Sequence, residues 1–293
     1  MKPAPFSYVR AFNLEEALDL LEEYGADSRI LAGGQSLLPT LNLRLSAPSL
    51  LIDINRIESL RGISIVGNEI QIGALTKHVE VASNPIIASK LALLYEAMPH
   101  VAHAAIRNRG TLGGSLALAD PAAELPACML ALDAKLLIAS KRGERKIAAR
   151  DFFKGLYTTA LGPTEILKRI DIPHPAPDSR FYFNEFSRRH GDYALVGIAA
   201  ACSFVEGGPI ELKLVYFGCG DRPLRATHLE AAIKRSGLES PNLESAIAEA
   251  IRFDLDPQSD LHASSATRLH LATVLARRAI NHFVRVTPGM YAS

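Results

Sequence analysis

Two glycine pairs constrain this chain more than any other feature: Leu31-Ala32-Gly33-Gly34-Gln35-Ser36 and Thr111-Leu112-Gly113-Gly114-Ser115. Glycine has no Cβ, so it accepts positive φ and lets the backbone come close to a bulky anion. Successive backbone N–H groups in such a turn form a concave, electropositive nest for phosphate oxygens. One pair alone reads equally well as a tight strand-to-helix turn without a ligand. Two pairs in one chain point to a diphosphate gripped from two sides, and so to a dinucleotide cofactor. The single-loop Gly-x-Gly-x-x-Gly fingerprint and a Walker loop with its lysine are both absent.

The side chains around the pairs fit the same reading. Gln35, Ser36 and Ser115 follow the glycines where they can bond phosphate oxygens, and Thr111 precedes the second pair. Arg107 and Arg109 either neutralise a diphosphate or make surface salt bridges. Acidic side chains commonly hold ribose hydroxyls, which brings in Asp120 and Glu124. Asp120-Pro121 reads as a helix N-cap with proline at the first helical position, so Glu124 is the better candidate. Tyr193 follows Gly191-Asp192 at the mouth of a strand, either to stack on a planar cofactor ring or as a half-buried strand tyrosine.

Other chemistries find little support. None of the three cysteines, Cys128, Cys202 and Cys219, forms a Cys-x-x-Cys pair, and an iron–sulfur cluster normally takes four. They read as small buried hydrophobes. His100 and His103 lack a third metal ligand nearby, and Ser115 has no nucleophile elbow. A net charge of +1 favours neither nucleic acid nor an anionic membrane. No apolar run approaches the roughly 20 residues that span a bilayer. Met1 to Arg10 lacks a hydrophobic signal core, so a cytoplasmic protein is expected.

Hydrophobic periodicity and turn residues predict three units. The first, residues 1–55, has strands at Phe6–Val9, Arg29–Ala32 and Leu50–Ile54. Its first helix is capped by Asn13, with Glu16 completing a capping-box-like pattern, and ends at Gly25. A short helix is expected from Ser36 to Leu45. The second unit, 56–176, has strands at 63–65, 69–73 and 135–139 and helices at 79–83, 86–98 and 125–132. The prolines at 173–177 read as a linker. The third, 177–293, has strands at Phe181–Ser187, Ala194–Val205 and Glu211–Phe217, then helices at 230–235, 243–252 and 264–283.

On these residues the chain resembles the flavin-binding medium subunits of the molybdenum hydroxylases. That family includes carbon monoxide dehydrogenase, N-heteroaromatic hydroxylases such as nicotine dehydrogenase and, as a fused domain, xanthine dehydrogenase. Ala32-Gly33-Gly34-Gln35-Ser36 resembles the family's first pyrophosphate loop. Asn108-Arg109-Gly110-Thr111-Leu112-Gly113-Gly114-Ser115-Leu116-Ala117 resembles the second and is the most specific match. Ile72-Gly73-Ala74-Leu75-Thr76, Arg188-Arg189-His190-Gly191-Asp192-Tyr193-Ala194, His262-Ala263-Ser264 and Arg277-Arg278-Ala279 also fit.

The resemblance implies an α+β fold: a two-lobed FAD-binding region of the vanillyl-alcohol-oxidase type, then a three-stranded sheet with a small helical bundle. It implies FAD between them, with both glycine stretches on the pyrophosphate, Glu124 at the position of a cofactor-contacting acid, and Leu161 and Tyr193 against the isoalloxazine. It implies no catalytic side chain apart from the cofactor contacts and no metal on this chain. A small iron–sulfur subunit would carry [2Fe-2S] clusters and a large subunit the molybdenum cofactor, as a dimer of heterotrimers. Electrons would pass from the clusters to the FAD and on to an external acceptor. Glu185 departs from the pattern, standing where many relatives have a lysine; a cation near the flavin stabilises its anionic reduced form, and a carboxylate would not unless paired with Arg188 or Arg189. The alternatives are a self-contained flavin oxidase, which would turn over its own substrate, and a non-catalytic nucleotide-binding protein.

Overall fold

The computed structural model describes residues 2–204 and 211–286, so Val205, the expected end of the second strand of the third unit, lies outside the described residues. The first sheet is three-stranded and parallel. Leu50–Asp53 lies between Ser7–Arg10 and Ser28–Leu31. The central strand is buried along its length, as parallel strands covered on both faces are. Helix Leu14–Tyr24 covers the sheet with Ala17, Leu18 and Leu21. Asn13 Oδ1 accepts the Glu16 N–H at 2.8 Å, while Glu16 reaches back to the Phe12 N–H rather than to Asn13. The first glycine stretch leaves the carboxyl end of Ser28–Leu31 and leads into helix Leu37–Asn42, shorter than expected.

The second sheet has five antiparallel strands in the order 63–66, 69–73, 166–173, 135–140, 143–148. Its central strand, Ile166–Pro173, was not expected from the sequence. Lys168, Arg169 and Asp171 interrupt its apolar pattern. Asp171 is fully buried and is held by Arg169 at 2.6 Å and Lys146 at 2.8 Å. Pro173 ends this strand, so the linker is shorter than its prolines suggested. The helix expected over 86–98 is two, Pro85–Lys90 and Ala92–Ala97, parted at Leu91.

The third sheet is antiparallel, in the order Arg180–Ser187, Ala194–Ser203, Glu211–Phe217 and a short fourth strand, Leu224–Arg225. Strand alternation gives it two apolar faces. Phe183, Ala199, Val215 and Phe217 pack on the second unit around helix Glu124–Ala131. Ile198, Ala200, Leu214 and Tyr216 pack under helices Thr227–Ser236, Leu243–Asp254 and Ser265–Val286. The junction between the second unit and this sheet is therefore a continuous core.

Candidate functional site

The two glycine stretches meet in space. Lys77 pairs with Thr111 as an isolated bridge, and the Leu112 N–H donates to the Thr76 carbonyl at 2.9 Å. A Cβ on Gly33 would overlap the Arg109 carbonyl and stand 2.8 Å from Gly110 Cα. Close approach of one stretch to the other thus requires glycine at 33. Gly34 has φ +70°, a conformation that favours glycine.

Their chemistry differs. Among the described residues, the backbone N–H groups of Gly33, Gly34, Gln35 and Ser36 donate to no protein acceptor. Gln35 braces the turn from within, its amide donating to the Gly33 carbonyl at 3.0 Å. Successive free N–H groups of this kind leave the first stretch open to an anion. The second stretch is not a nest. Gly113 and Gly114 lie in the first turn of helix Leu112–Leu118. Gly113 N–H donates to the Ala74 carbonyl at 2.8 Å, Gly114 N–H to Thr111 Oγ1 at 3.1 Å and Ser115 N–H to the Thr111 carbonyl at 3.1 Å. Thr111 is the N-cap of this helix. Gly113 is there for packing, since a Cβ would meet the Ala74 carbonyl oxygen at 2.7 Å. What the second stretch offers a ligand is the exposed Gly114 backbone, the half-buried Ser115 hydroxyl and Arg109, exposed and without an ion pair among the described residues. Arg107 makes no salt bridge among the described residues; its guanidinium donates to the Val101 and Ala102 carbonyls at 3.1 and 2.9 Å.

Residues that the sequence did not single out support the first stretch from below. Asn55 Nδ2 donates to the Ala32 carbonyl at 2.8 Å and to Asp53 Oδ1 at 2.8 Å. Asp53 also accepts from Arg10 and from the Tyr8 hydroxyl, and these bonds hold its carboxyl below the usual range against its burial. His78 is buried beneath Gly110 with neither ring nitrogen hydrogen-bonded among the described residues. Burial lowers it to about 4, with the Arg107 charge adding to the effect.

Beyond helix Leu112–Leu118 the chain turns through Asp120 to Ala123. Asp120 does not cap a helix beginning at Pro121, because the next helix starts at Glu124. Its carboxylate closes the turn instead, accepting the Ala122 N–H at 2.9 Å, and the Tyr157 hydroxyl lies 3.4 Å from its other oxygen. Glu124 is 8% exposed, and burial pushes it up to about 7, with Glu185 and Asp120 adding to the shift. Tyr193 is 71% exposed, which the half-buried strand reading does not explain. Asp120 and Glu124 are close enough for their charges to act on its phenol. Tyr193 also borders a cleft of about 740 Å³ between Pro121-Ala122, Leu195 and the segment from Arg252 to Arg268. Leu161 is half-buried on the same core as Phe152 and Phe153.

Glu185 pairs with neither Arg188 nor Arg189. It faces His100, with Nδ1 3.4 Å from Oε1, while Arg188 turns to His262. His103 packs under Gly191 in the turn before Tyr193. The three cysteines are buried and free, and no cluster of His, Cys, Asp or Glu fit for a metal occurs among the described residues. No helix among them is long and apolar enough to cross a membrane.

Comparison with known proteins identifies the family. Residues 4–175 match the FAD binding domain in molybdopterin dehydrogenase, and residues 181–283 match the CO dehydrogenase flavoprotein C-terminal domain. The chain is 41% identical over 281 residues to the 6-hydroxypseudooxynicotine dehydrogenase complex subunit alpha of Paenarthrobacter nicotinovorans, covering 96% of this chain and 95% of that one. It superposes on a chain of carbon monoxide dehydrogenase from Hydrogenophaga pseudoflava with a TM-score of 0.92 at 34% identity, covering 97% of this chain and 99% of the other. For quinoline 2-oxidoreductase from Pseudomonas putida 86 the TM-score is 0.87 at 38% identity, with 98% and 99% covered. The chain belongs to the family of FAD-binding medium subunits of the molybdenum-containing hydroxylases and dehydrogenases, an oxidoreductase family with an α+β fold.

Proposed function

We propose that this chain is the electron-transfer flavoprotein of a cytoplasmic heterotrimer that pairs in two copies. It takes electrons from [2Fe-2S] clusters on a small partner subunit and hands them to an external acceptor. Substrate is hydroxylated at a molybdenum cofactor on a large subunit. The observation that carries this reading is the row of N–H groups from Gly33 to Ser36 without protein acceptors, held against the second glycine stretch. A row of this kind suits the pyrophosphate of FAD, the family's cofactor. Buried free cysteines suit a reducing compartment.

Within this reading the units 1–55, 56–176 and 177–293 enclose the cofactor. The backbone from Ala32 to Ser36 binds the pyrophosphate, with Gly113 setting the approach of the second stretch. Thr111 and Gly114 shape the surface on which Ser115 and Arg109 add a hydroxyl and a positive charge. Leu161 and Tyr193 would lie against the isoalloxazine, and Glu124 would be the acidic contact to the cofactor. FAD, when bound, supplies the electron-carrying chemistry. The chain's own residues bind it, orient it and set the polarity around it, and none acts as acid or base on a substrate. The cleft beside Tyr193 favours one other reading, a self-contained oxidase whose substrate enters there.

Purification of the complex from the native host, with flavin, iron and molybdenum analysis, tests the proposal. Flavin, iron and molybdenum arriving with two further polypeptides is the expected result. A lone flavin-containing chain that turns over a substrate would replace it with the oxidase reading.

A further inference from the structure

Glu185 occupies an unusual place for a carboxylate. It stands in strand Arg180–Ser187 opposite Gly197, and the Phe217 ring fills the space where a side chain at 197 would be. Phe183, two residues away, shares its face of the strand and stacks on Phe217. The Glu185 side chain is 2% exposed, and Oε2 has no hydrogen-bond partner among the described residues. An orphaned buried polar atom carries an uncompensated desolvation cost, larger if it is charged. An apolar side chain would fill the position without it.

Glu124 faces the same junction from the helix packed on this sheet. Among the described residues only its own backbone N–H bonds its carboxylate. No lysine or arginine pairs with either glutamate among the described residues. Asp120 lies at the edge of the group, Cys128 is one turn further along the helix of Glu124, and Glu96 faces it from helix Ala92–Ala97. Among the described residues His100 is the basic group in contact. It is partly exposed where Glu185 is not, and its ring lies tilted against Phe183 at 5.1 Å and His190 at 5.9 Å. Two buried carboxylates beside one imidazole are electrostatically unfavourable unless protons are shared among them. Glu124 is pushed up to about 7 by burial and the neighbouring carboxylates, and His100 is raised by its contact with Glu185.

We propose that Glu124, Glu185 and His100 form a proton store at the junction of the second unit and the C-terminal sheet, filled through His100 and linked to the charge on a flavin in the adjoining site. The link rests on the flavin reading above; the store does not. Two-electron reduction of that flavin, by the partner clusters or by dithionite, would be matched by uptake of one proton from water at the group, entering on the His100 side and held on Glu124. One O–H bond forms, and no other bond in the chain forms or breaks. The proton returns to water when the electrons leave. Glu185 is a positioning residue that orients His100 and supplies the negative field.

Infrared titration of the full chain without flavin tests the store. A protonated-carboxyl band is expected to disappear around pH 7, to be missing in Glu124→Gln and to shift to lower pH in Glu185→Gln. A band that is absent, or unmoved by Glu185→Gln, would overturn the proposal. Spectroelectrochemical titration of the FAD-loaded chain against pH, with dithionite as reductant, tests the link. Glu185→Gln and His100→Asn are each expected to remove up to one proton per two electrons near neutrality, about 30 mV per pH unit of slope. Bound flavin whose slope ignores both variants would overturn the link alone. Failure to bind FAD at all would overturn the functional reading and the link with it, while the infrared result still decides the store.

Discussion

Gly33 is pressed against the backbone of Arg109, so closely that any side chain at 33 would overlap the Arg109 carbonyl. Two segments far apart in sequence become one surface through that contact. Gly33→Ala is expected to push them apart and lower FAD affinity at least tenfold, about 1.4 kcal/mol. Flavin fluorescence titration measures it. Unchanged affinity would mean that the stretches act independently.

Thr111 ties the second stretch to its helix by accepting the Gly114 N–H. Thr111→Val keeps the shape and loses the cap, for an expected loss of about 1 kcal/mol in urea unfolding. Thr111→Ser is expected to restore most of it. Gly114→Val would crowd the same hydroxyl, since a Cβ there lies 2.8 Å from Thr111 Oγ1. It should therefore destabilise the flavin-free chain as well as weaken flavin retention.

His78 and Glu124 pull stability in opposite directions with pH. The buried imidazole titrates at about 4 in the fold against 6.5 unfolded, so the unfolded chain binds more protons in between. Stability therefore rises with pH across that window and is lost on acidification. Glu124 titrates at about 7 in the fold against 4.5 unfolded, so the folded chain binds more protons there, and stability falls as pH rises to 7. Each amounts to up to about 3 kcal/mol. Urea midpoints of Glu124→Gln should rise from pH 4 to 6.5, and those of His78→Gln should fall from 4.5 to 7. Parallel curves for the two variants would refute the assignment.

Tyr193 is exposed and makes no hydrogen bond among the described residues. Tyr193→Ala should change stability by no more than about 0.5 kcal/mol. It should shift the absorption or potential of bound flavin. If neither moves, Tyr193 is not a cofactor contact.

Strands and helices with regular patterning were legible in the sequence. Leu14, Ala17, Leu18 and Leu21 repeat at helical spacing, and Asn13 announces the helix start, because capping and amphipathicity are local properties. Ile166–Pro173 was not legible. It is the middle of a sheet, yet it carries Lys168, Arg169 and Asp171, and the buried aspartate is held both by Arg169 of its own strand and by Lys146, which arrives from another strand. The fourth strand at Leu224–Arg225 was missed because two residues hold no period.

The sequence by itself determined the glycine positions, the absence of local metal or nucleophile motifs, and the family resemblance. All of these reside in residue type and spacing. Only the tertiary structure decided what each glycine does. Gly33 and Gly34 open a row of free N–H groups, whereas Gly113 and Gly114 allow a helix end to pack and be capped. It also decided that Glu185 meets His100 rather than a neighbouring arginine. Hydrogen-bond satisfaction and the partner of a buried charge depend on which distant backbone and side chains arrive alongside, and local sequence does not contain that information.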